Sequence, residues 1–251
     1  MKIGYKGFDK ELKCRGEQFE VGQTCYKPLG VGKIRPILCT SDGWHYCDRI
    51  QDVDRFYSFS PKLQNRFCEI EVLGPYSSSG DKSITNHFRI IRELSSSDID
   101  EIVLDEKMNL STVRQIQTEY PMFYVGGSVG LYLHGVRLER WKKTSYKGDI
   151  DFCSPYFVLP QNSETLDIHY VDAKNSGNDF DETFVVNGNI KVDYKIDPKQ
   201  RYEIIEYKGF KYKVSPLMII LEAKMRYAMV GGSKSASKHK DDIEKMIISK
   251  K

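Results

Sequence analysis

The order of three short motifs constrains the fold of this chain more than any other feature of its sequence. An apolar run at 122–125 ends at Gly126-Gly127-Ser128, and the run 129–133 follows with helical spacing. Asp149-Ile150-Asp151 comes next, and its alternation of acidic and apolar residues predicts a strand with both acids on one face. We therefore expect a buried strand, then a glycine turn and a helix, and then an acidic strand in the same sheet as the first strand.

A third acid belongs to the same pattern. The runs 183–186 and 190–194 flank Asn187-Gly188-Asn189, which is a strong hairpin signal. Asp193 should therefore lie on a sheet strand, with Lys191 and Lys195 on its side. Asp197 lies close by in the sequence and is the competing acid.

A second hairpin is expected around Lys208-Gly209, and two helices should follow it at the C-terminal end. The first should run from Pro216, a first-turn position that proline tolerates, to residue 230, and the second should cover 237–249. Lys224 lies at the margin of an apolar stripe on the first helix, which allows either an exposed lysine or one that reaches toward the sheet. The second helix carries Lys238 and Lys240.

The N-terminal part has a different character. Short apolar runs at 19–21, 37–39, 67–72 and 88–91 are separated by Gly, Pro and Ser, which predicts strands, and a short helix is expected at 52–57. Ser95-Ser96-Ser97-Asp98 reads as a junction and a helix cap. We therefore expect a small β-rich α+β domain at 1–94 and an α+β domain with a mixed sheet and flanking helices at 95–251.

Composition and charge narrow the classes of function. No apolar stretch is long enough to cross a bilayer and the first residues lack the apolar core of a signal peptide, so we expect a cytoplasmic protein with no membrane partner. Residues 95–200 hold 11 basic and 17 acidic side chains, whereas 201–251 hold 12 and 6. This asymmetry fits either two solvated faces or a cation-binding acidic cluster opposite a phosphate-binding basic helix.

The six cysteines form no C-x-x-C pair. Cys39, His45 and Cys47 match the spacing of no common zinc module, so free thiols are favoured over a zinc site.

Residues from about 110 to 248 resemble the polymerase-β-like nucleotidyltransferase superfamily, especially its small bacterial and phage members in toxin–antitoxin and abortive-infection systems. The matching pieces are Gly126-Gly127-Ser128, Asp149-Ile150-Asp151, Val192-Asp193-Tyr194 and a helix pair with Lys224 and the segment 238–243. The helix after the glycine turn carries Tyr132, Leu133 and His134, where the superfamily has mostly small residues.

The resemblance implies a chemistry for these residues. Asp149, Asp151 and Asp193 would hold two Mg²⁺ ions, with Mn²⁺ as the alternative, because these cations prefer carboxylate oxygens and substrate phosphates. Three neighbouring carboxylates repel each other without a cation, which also favours a metal. Gly126, Gly127 and Ser128 would bind the triphosphate of an NTP, together with the side chains of Lys224 and Lys240.

The expected function is transfer of a nucleoside monophosphate to a hydroxyl of RNA, a protein or a small molecule. The N-terminal part contains Lys6-Gly7-Phe8, Cys14-Arg15-Gly16, Phe19-Glu20-Val21-Gly22, Gly43-Trp44-His45-Tyr46-Cys47, Val72-Leu73-Gly74 and Lys82-Ser83. With these segments, residues 5–94 resemble a small domain of unknown function that recurs in phage-encoded proteins, which implies a phage origin and action in the host cytoplasm. Arg15 and His45 with several aromatics allow a nucleotide pocket there, but structural roles are favoured. The alternative for the whole chain is an inactive virion-associated or host-partner-binding protein that keeps the fold.

Overall fold

The computed structural model describes residues 2–28, 43–143, 146, 148–171, 181–230 and 233–248. The chain divides into two compact units, Met1–Val103 and Leu104–Lys251, called unit 1 and unit 2 below. Both units combine helices with sheets, so the prediction of the α+β class is confirmed. No described helix is long and apolar enough to cross a membrane.

Unit 1 consists mainly of short antiparallel strands. They are β1 (Lys2–Phe8), β2 (Lys13–Cys14), β3 (Glu17–Gln18), β4 (Thr24–Tyr26), β5 (Trp44–Tyr46), β6 (Arg66–Val72), β7 (Tyr76–Ser79), β8 (Lys82–Thr85) and β9 (His87–Glu93). A short helix, α1 (Ile50–Val53), and a 3-10 turn at Pro61–Leu63 interrupt them. The strands form a four-stranded sheet in the order β1-β6-β9-β4, a three-stranded sheet β5-β8-β7 and the pair β2-β3.

The strand predictions for unit 1 succeeded where apolar residues alternate over a long run. The strands predicted at 67–72 and 88–91 are confirmed as β6 and β9. The strand predicted at 19–21 is wrong. Phe19 is buried in the core of unit 1, but it follows β3 and belongs to no described strand. The helix predicted at 52–57 begins and ends earlier, at Ile50–Val53. The strand predicted at 37–39, with Cys39, lies outside the described residues.

Unit 2 is built on one mixed seven-stranded sheet. Its strands are β10 (Tyr124–Val125), β11 (Ile150–Ser154), β12 (Ile168–Val171), β13 (Glu182–Val186), β14 (Ile190–Ile196), β15 (Glu203–Tyr207) and β16 (Phe210–Val214), in the order β12-β13-β14-β11-β10-β16-β15. The helices are α3 (Leu110–Glu119), α4 (Gly127–Leu133), α5 (Leu217–Val230) and α6 (Ser233–Ile248), with a 3-10 turn at Glu139–Lys142. Among the described strands of this sheet, the pairs β10-β16 and β11-β14 are parallel and the others are antiparallel.

Turn chemistry explains the two hairpins of unit 2. Asn187 and Gly188 both have positive φ, at 50° and 76°, and join β13 to β14. Lys208 and Gly209 do the same between β15 and β16, at 48° and 75°. Turns with two positive φ values match the twist of the flanking strands. Both predicted hairpins are therefore confirmed.

Three other predictions for unit 2 are close in position. The strand predicted at 122–125 has only two ladder residues, Tyr124 and Val125. The helix predicted from Pro216 begins at Leu217 and ends at Val230 as expected. The last helix begins earlier than predicted, at Ser233, and its predicted end at residue 249 lies outside the described residues.

Helix α2 (Ser96–Lys107) contains the division between the units. Asp98 caps its start by accepting a hydrogen bond from the Ser95 backbone N–H at 2.9 Å. Ile99 and Ile102 belong to a core cluster of unit 1, whereas Leu104 packs against the core of unit 2. The division therefore falls within the helix rather than at the junction predicted before residue 95.

Candidate metal centre

Strands β11 and β14 bring the predicted acids together. They pair in parallel with Asp151 opposite Asp193, and Asp149 lies just before the start of β11. One carboxylate oxygen from each of the three residues lies within 4.8 Å of the others. The side-chain period of a strand explains the grouping, because Asp149 and Asp151 point to the same face. Carboxylates from two neighbouring strands thus converge at one point of the sheet.

Asp193 is held firmly in this group. Its side chain is buried, and both carboxylate oxygens accept hydrogen bonds from neighbours on the sheet. Thr183 donates its hydroxyl to Oδ1 at 2.8 Å from the adjacent strand β13, and Lys191 donates its ammonium to Oδ2 at 2.7 Å. Two donors on opposite sides fix the orientation of the carboxylate.

The pKa of the Asp151 carboxyl is strongly raised. Burial, together with the Asp149 and Asp193 charges, raises the pKa of its carboxyl to about 7, although the Lys224 and Lys238 charges act in the opposite direction. A carboxyl with this pKa is only partly ionised near neutral pH. A cation bound among the three carboxylates would favour the ionised form, since it opposes the repulsion that raises the pKa.

The glycine turn lies directly against Asp151. The Gly126 N–H donates to the Asp151 carbonyl at 2.8 Å, which joins the end of β10 to β11. Gly127 has a φ of +53°, and a Cβ built on it would lie 1.5 Å from Asp151 Oδ2. No residue with a side chain fits at Gly127 without displacing this carboxylate. The sequence requirement for glycine here thus arises from the acidic cluster itself.

Ser128 has a partner within unit 2. Its side chain is buried, and its hydroxyl hydrogen-bonds to that of Tyr146. Burial raises the pKa of Tyr146, and the nearby Asp149 charge acts in the same direction. The predicted contact between Ser128 and a phosphate stays a prediction.

Lys224 belongs to a buried ion cluster between α5 and α6. Its ammonium lies 2.8 Å from Oδ2 of Asp242, and Arg140 binds Oδ1 of the same carboxylate. Lys224 is 6% exposed and Asp242 is fully buried. Burial alone would raise the pKa of Asp242, but the hydrogen bond from Arg140 and the charge of Lys224 lower it below its usual range. Lys224 is therefore not an exposed lysine. It is buried and pairs with a carboxylate.

The remaining predicted residues lie apart from the carboxylates. Lys240 is exposed on α6, and no contact in the described residues connects it with the three acids. Asp197, the competing acid, accepts the Tyr124 hydroxyl at 2.6 Å and pairs with Arg201. Asp193 rather than Asp197 completes the cluster.

Sequence reasoning missed the supporting residues Thr183, Arg140 and the role of Asp242. For Asp242 a signal existed, since it precedes the buried Met246 by one helical turn and so occupies the apolar face of α6. An acid on such a face indicates a buried ion pair. Thr183 and Arg140 gave no such signal, because their roles depend on strand pairing and on a contact distant in sequence.

The two units differ in their likeness to known proteins. Residues 2–102 match a protein family described as a domain of unknown function (DUF7666). This agrees with the expected resemblance of the N-terminal part to a domain of unknown function. No curated protein matches the chain. The resemblance of residues 110–248 to nucleotidyltransferases is supported by no family match and stays a prediction.

Proposed function

We propose that unit 2 is a metal-dependent nucleotidyltransferase that moves a nucleoside monophosphate from an NTP to a hydroxyl acceptor. The observation that carries this proposal is the convergence of Asp149, Asp151 and Asp193 within 4.8 Å beside the glycine turn. Three carboxylates at this spacing form a ligand set for a hard divalent cation. Burial and mutual repulsion together raise the pKa of Asp151, and a bound cation would offset both costs, which supports a cation over a purely structural role.

Mg²⁺ fits this donor set, with Mn²⁺ as the alternative ion, and Asp149, Asp151 and Asp193 would hold it. When bound, such ions activate an attacking hydroxyl and stabilise the charge on the leaving pyrophosphate. Lys191 and Thr183 keep Asp193 in its binding orientation. Gly127 lies directly against Asp151, so a triphosphate held by an ion on the carboxylates would lie beside the glycine turn.

Lys224 has a more indirect role in this proposal. Its charge acts on Asp151 while its ammonium pairs with Asp242. We infer that it supports the site by holding α5 against α6 and by adding positive potential next to the acids. The exposed Lys238 also adds positive potential at Asp151, and Lys240 lies on the same helix.

The acceptor is proposed as a hydroxyl of RNA or of a host protein in the cytoplasm. The C-terminal segment 201–251 carries 12 basic and 6 acidic side chains, which favours a polyanionic acceptor such as RNA. A small-molecule acceptor is the alternative.

The test is transfer of label from each of the four α-³²P-labelled NTPs to components of a bacterial lysate, with Mg²⁺ or Mn²⁺, followed by separation of protein and RNA. We expect labelled product with the wild type, and none with Asp149→Ala plus Asp151→Ala. Glu206→Gln is the matched control, because it removes one negative charge from an exposed position on β15 of the same sheet. Absence of label under all conditions, or equal label from the double variant, would reject the enzymatic proposal and favour the inactive scaffold.

A further inference from the structure

Unit 1 contains a cavity that the proposed function does not use. Its volume is about 350 Å³, within the size range of small-molecule sites. Its described lining residues come from β1, β2, β3, β5, α1, β8 and the loops beside them. All of these residues belong to unit 1 and to the range that matches the domain of unknown function.

The charged groups of the lining are mostly cations. Among the described lining residues they are Lys6, Arg15, Lys27 and Lys82, with Glu17 as the one acid of that described set. Glu17 is already engaged, because it accepts hydrogen bonds from Lys27 at 2.9 Å and from the Trp44 indole N–H at 2.6 Å. These two hydrogen bonds lower the pKa of Glu17. Lys6 and Lys82, by contrast, form no salt bridge with a described carboxylate, so the described lining keeps positive charge.

Lys6 is the most deeply buried of these cations. It is 4% exposed, and its ammonium donates to the His45 carbonyl at 2.9 Å and to Cys14 Sγ at 3.4 Å. Within the part of the chain that the structure describes, no carboxylate lies within salt-bridge distance of it. Burial lowers its pKa. A buried ammonium held only by neutral acceptors is costly, and an anion in the cavity would offset that cost.

The uncharged part of the lining is largely aromatic. Trp44, Phe56 and Tyr57 all face the cavity. Gly7 opposite them has no side chain, and a Cβ there would lie 2.6 Å from the Tyr57 ring. Aromatic faces of this kind favour a planar ring as the partner, as in nucleotide and base recognition.

We propose that this cavity binds a small aromatic anion of the nucleoside monophosphate class, with Lys6, Arg15 and Lys82 around its phosphate and Trp44 and Tyr57 against its base. The inference does not depend on the function proposed for unit 2. It assigns a second binding site to the chain, one that recognises an anion through cations without a divalent metal.

The chain offers a local probe for this site. It contains two tryptophans, Trp44 in the cavity and Trp141 in the core of unit 2. The full chain labelled with 5-fluorotryptophan therefore gives one ¹⁹F resonance from each unit. Titrations in EDTA with AMP, UMP, adenosine and inorganic phosphate then report binding at unit 1 while metal-dependent binding at unit 2 is suppressed.

We expect AMP or UMP to shift the Trp44 resonance saturably and to leave the Trp141 resonance unchanged. Adenosine and inorganic phosphate should each bind at least about tenfold more weakly, because each lacks one half of the recognised chemistry. Lys6→Met should weaken nucleotide binding by about tenfold or more. Lys62→Met, at an exposed lysine of the same unit, is the matched control and should bind like the wild type.

Lys82→Met is the second variant, since Lys82 is only half-buried and its loss opens no core cavity. If Lys6→Met gives the Trp44 resonance of the urea-unfolded chain, Lys82→Met decides alone, with weaker nucleotide binding expected. The proposal is overturned if neither nucleotide shifts the Trp44 resonance, if adenosine binds as tightly as AMP, or if folded cation variants bind nucleotide as tightly as the wild type.

Discussion

The two units concentrate charge of opposite sign. Unit 1 buries Lys6 beside a cavity with cationic walls, whereas unit 2 brings Asp149, Asp151 and Asp193 together on its sheet. In either unit, a buried charge costs free energy if no opposite charge of the same unit neutralises it. Such a charge favours binding of a ligand of the opposite sign at that place. An anion site in unit 1 and a cation site in unit 2 follow from the same argument.

The ion cluster of α5 and α6 shows the contrasting case. Lys224 and Arg140 both pair with Asp242, and Arg140 also lies 3.7 Å from Asp241, so two cations face two acids. Buried charge with its partner present in the chain serves structure first. Substitution of a charged group therefore distinguishes a structural charge from one that a ligand neutralises.

The largest effect is expected from the structural pair. Lys224→Ala removes one partner of the buried carboxylate of Asp242 and should lower the free energy of unfolding of unit 2 by about 3–5 kcal/mol. Lys224→Arg should recover only part, because a planar guanidinium does not reproduce an ammonium. Urea unfolding followed at the ¹⁹F resonance of Trp141 measures this, with the Trp44 resonance as the internal reference for unit 1.

Lys211→Ala is the matched control, since Lys211 is exposed on β16 and its loss should change stability by less than about 0.5 kcal/mol. Equal effects of Lys224→Ala and Lys211→Ala would show that the pair of Lys224 and Asp242 adds nothing to the stability of unit 2. That result would contradict the distinction between paired and unpaired buried charge.

The second effect concerns pH. The pKa of Asp151 is about 7 in the folded chain, above an unfolded value of about 3.9, so the folded state binds the proton more tightly. In EDTA, the contribution of Asp151 to stability is therefore greatest below about pH 4 and is lost as pH rises to about 7, by up to about 1.4 kcal/mol per pH unit.

Asp151→Asn should lack this component. The free energy of unfolding of unit 2 is measured at pH 5 and pH 7.5 for Asp151→Asn and for the wild type. Relative to the wild type, the variant should be more stable at pH 7.5 than at pH 5. The same difference at both pH values would show that Asp151 is not strained.

A third prediction separates carboxylate repulsion from packing. Asp149→Ala plus Asp151→Ala relieves repulsion without opening a core cavity, so stability in EDTA at pH 8 should hold or rise by roughly 1–2 kcal/mol. Urea unfolding at the Trp141 resonance measures it, and AMP binding at the Trp44 resonance should be unchanged. A loss of stability of similar size would mean that these acids hold the fold together.

The smallest effect is expected on separating the units. A chain of residues 95–251 should fold alone, and its free energy of unfolding should differ from that of unit 2 in the full chain by less than about 0.5 kcal/mol. Limited proteolysis of the full chain should release a fragment of similar extent. One cooperative unfolding transition with no protected fragment would argue for a single integrated domain.

The local part of the fold followed from the sequence. The hairpins at Asn187-Gly188 and Lys208-Gly209 and the long strands β6 and β9 were predicted because turn residues and alternation act over a few positions. Strand β1, by contrast, was missed, since its apolar residues alternate poorly and its place depends on pairing with the distant β6. The position of Phe19 was misjudged for a related reason, because a buried aromatic also occurs outside a ladder.

The same limit applies to the site. The grouping of Asp149 and Asp151 follows from strand periodicity, and the motif order favoured Asp193 as the third member. The close approach of Gly127 to Asp151 and the pairing of Lys224 with Asp242 did not follow, because they depend on the packing of elements distant in sequence.

The most direct test of the central claim is calorimetric titration of Mn²⁺ into the full chain at pH 7.5. The three carboxylates should bind at least one ion saturably in the wild type and in Glu206→Gln, and the binding should disappear in Asp149→Ala plus Asp151→Ala. Identical isotherms for the wild type and the folded double variant would contradict the assignment of a metal centre to these residues.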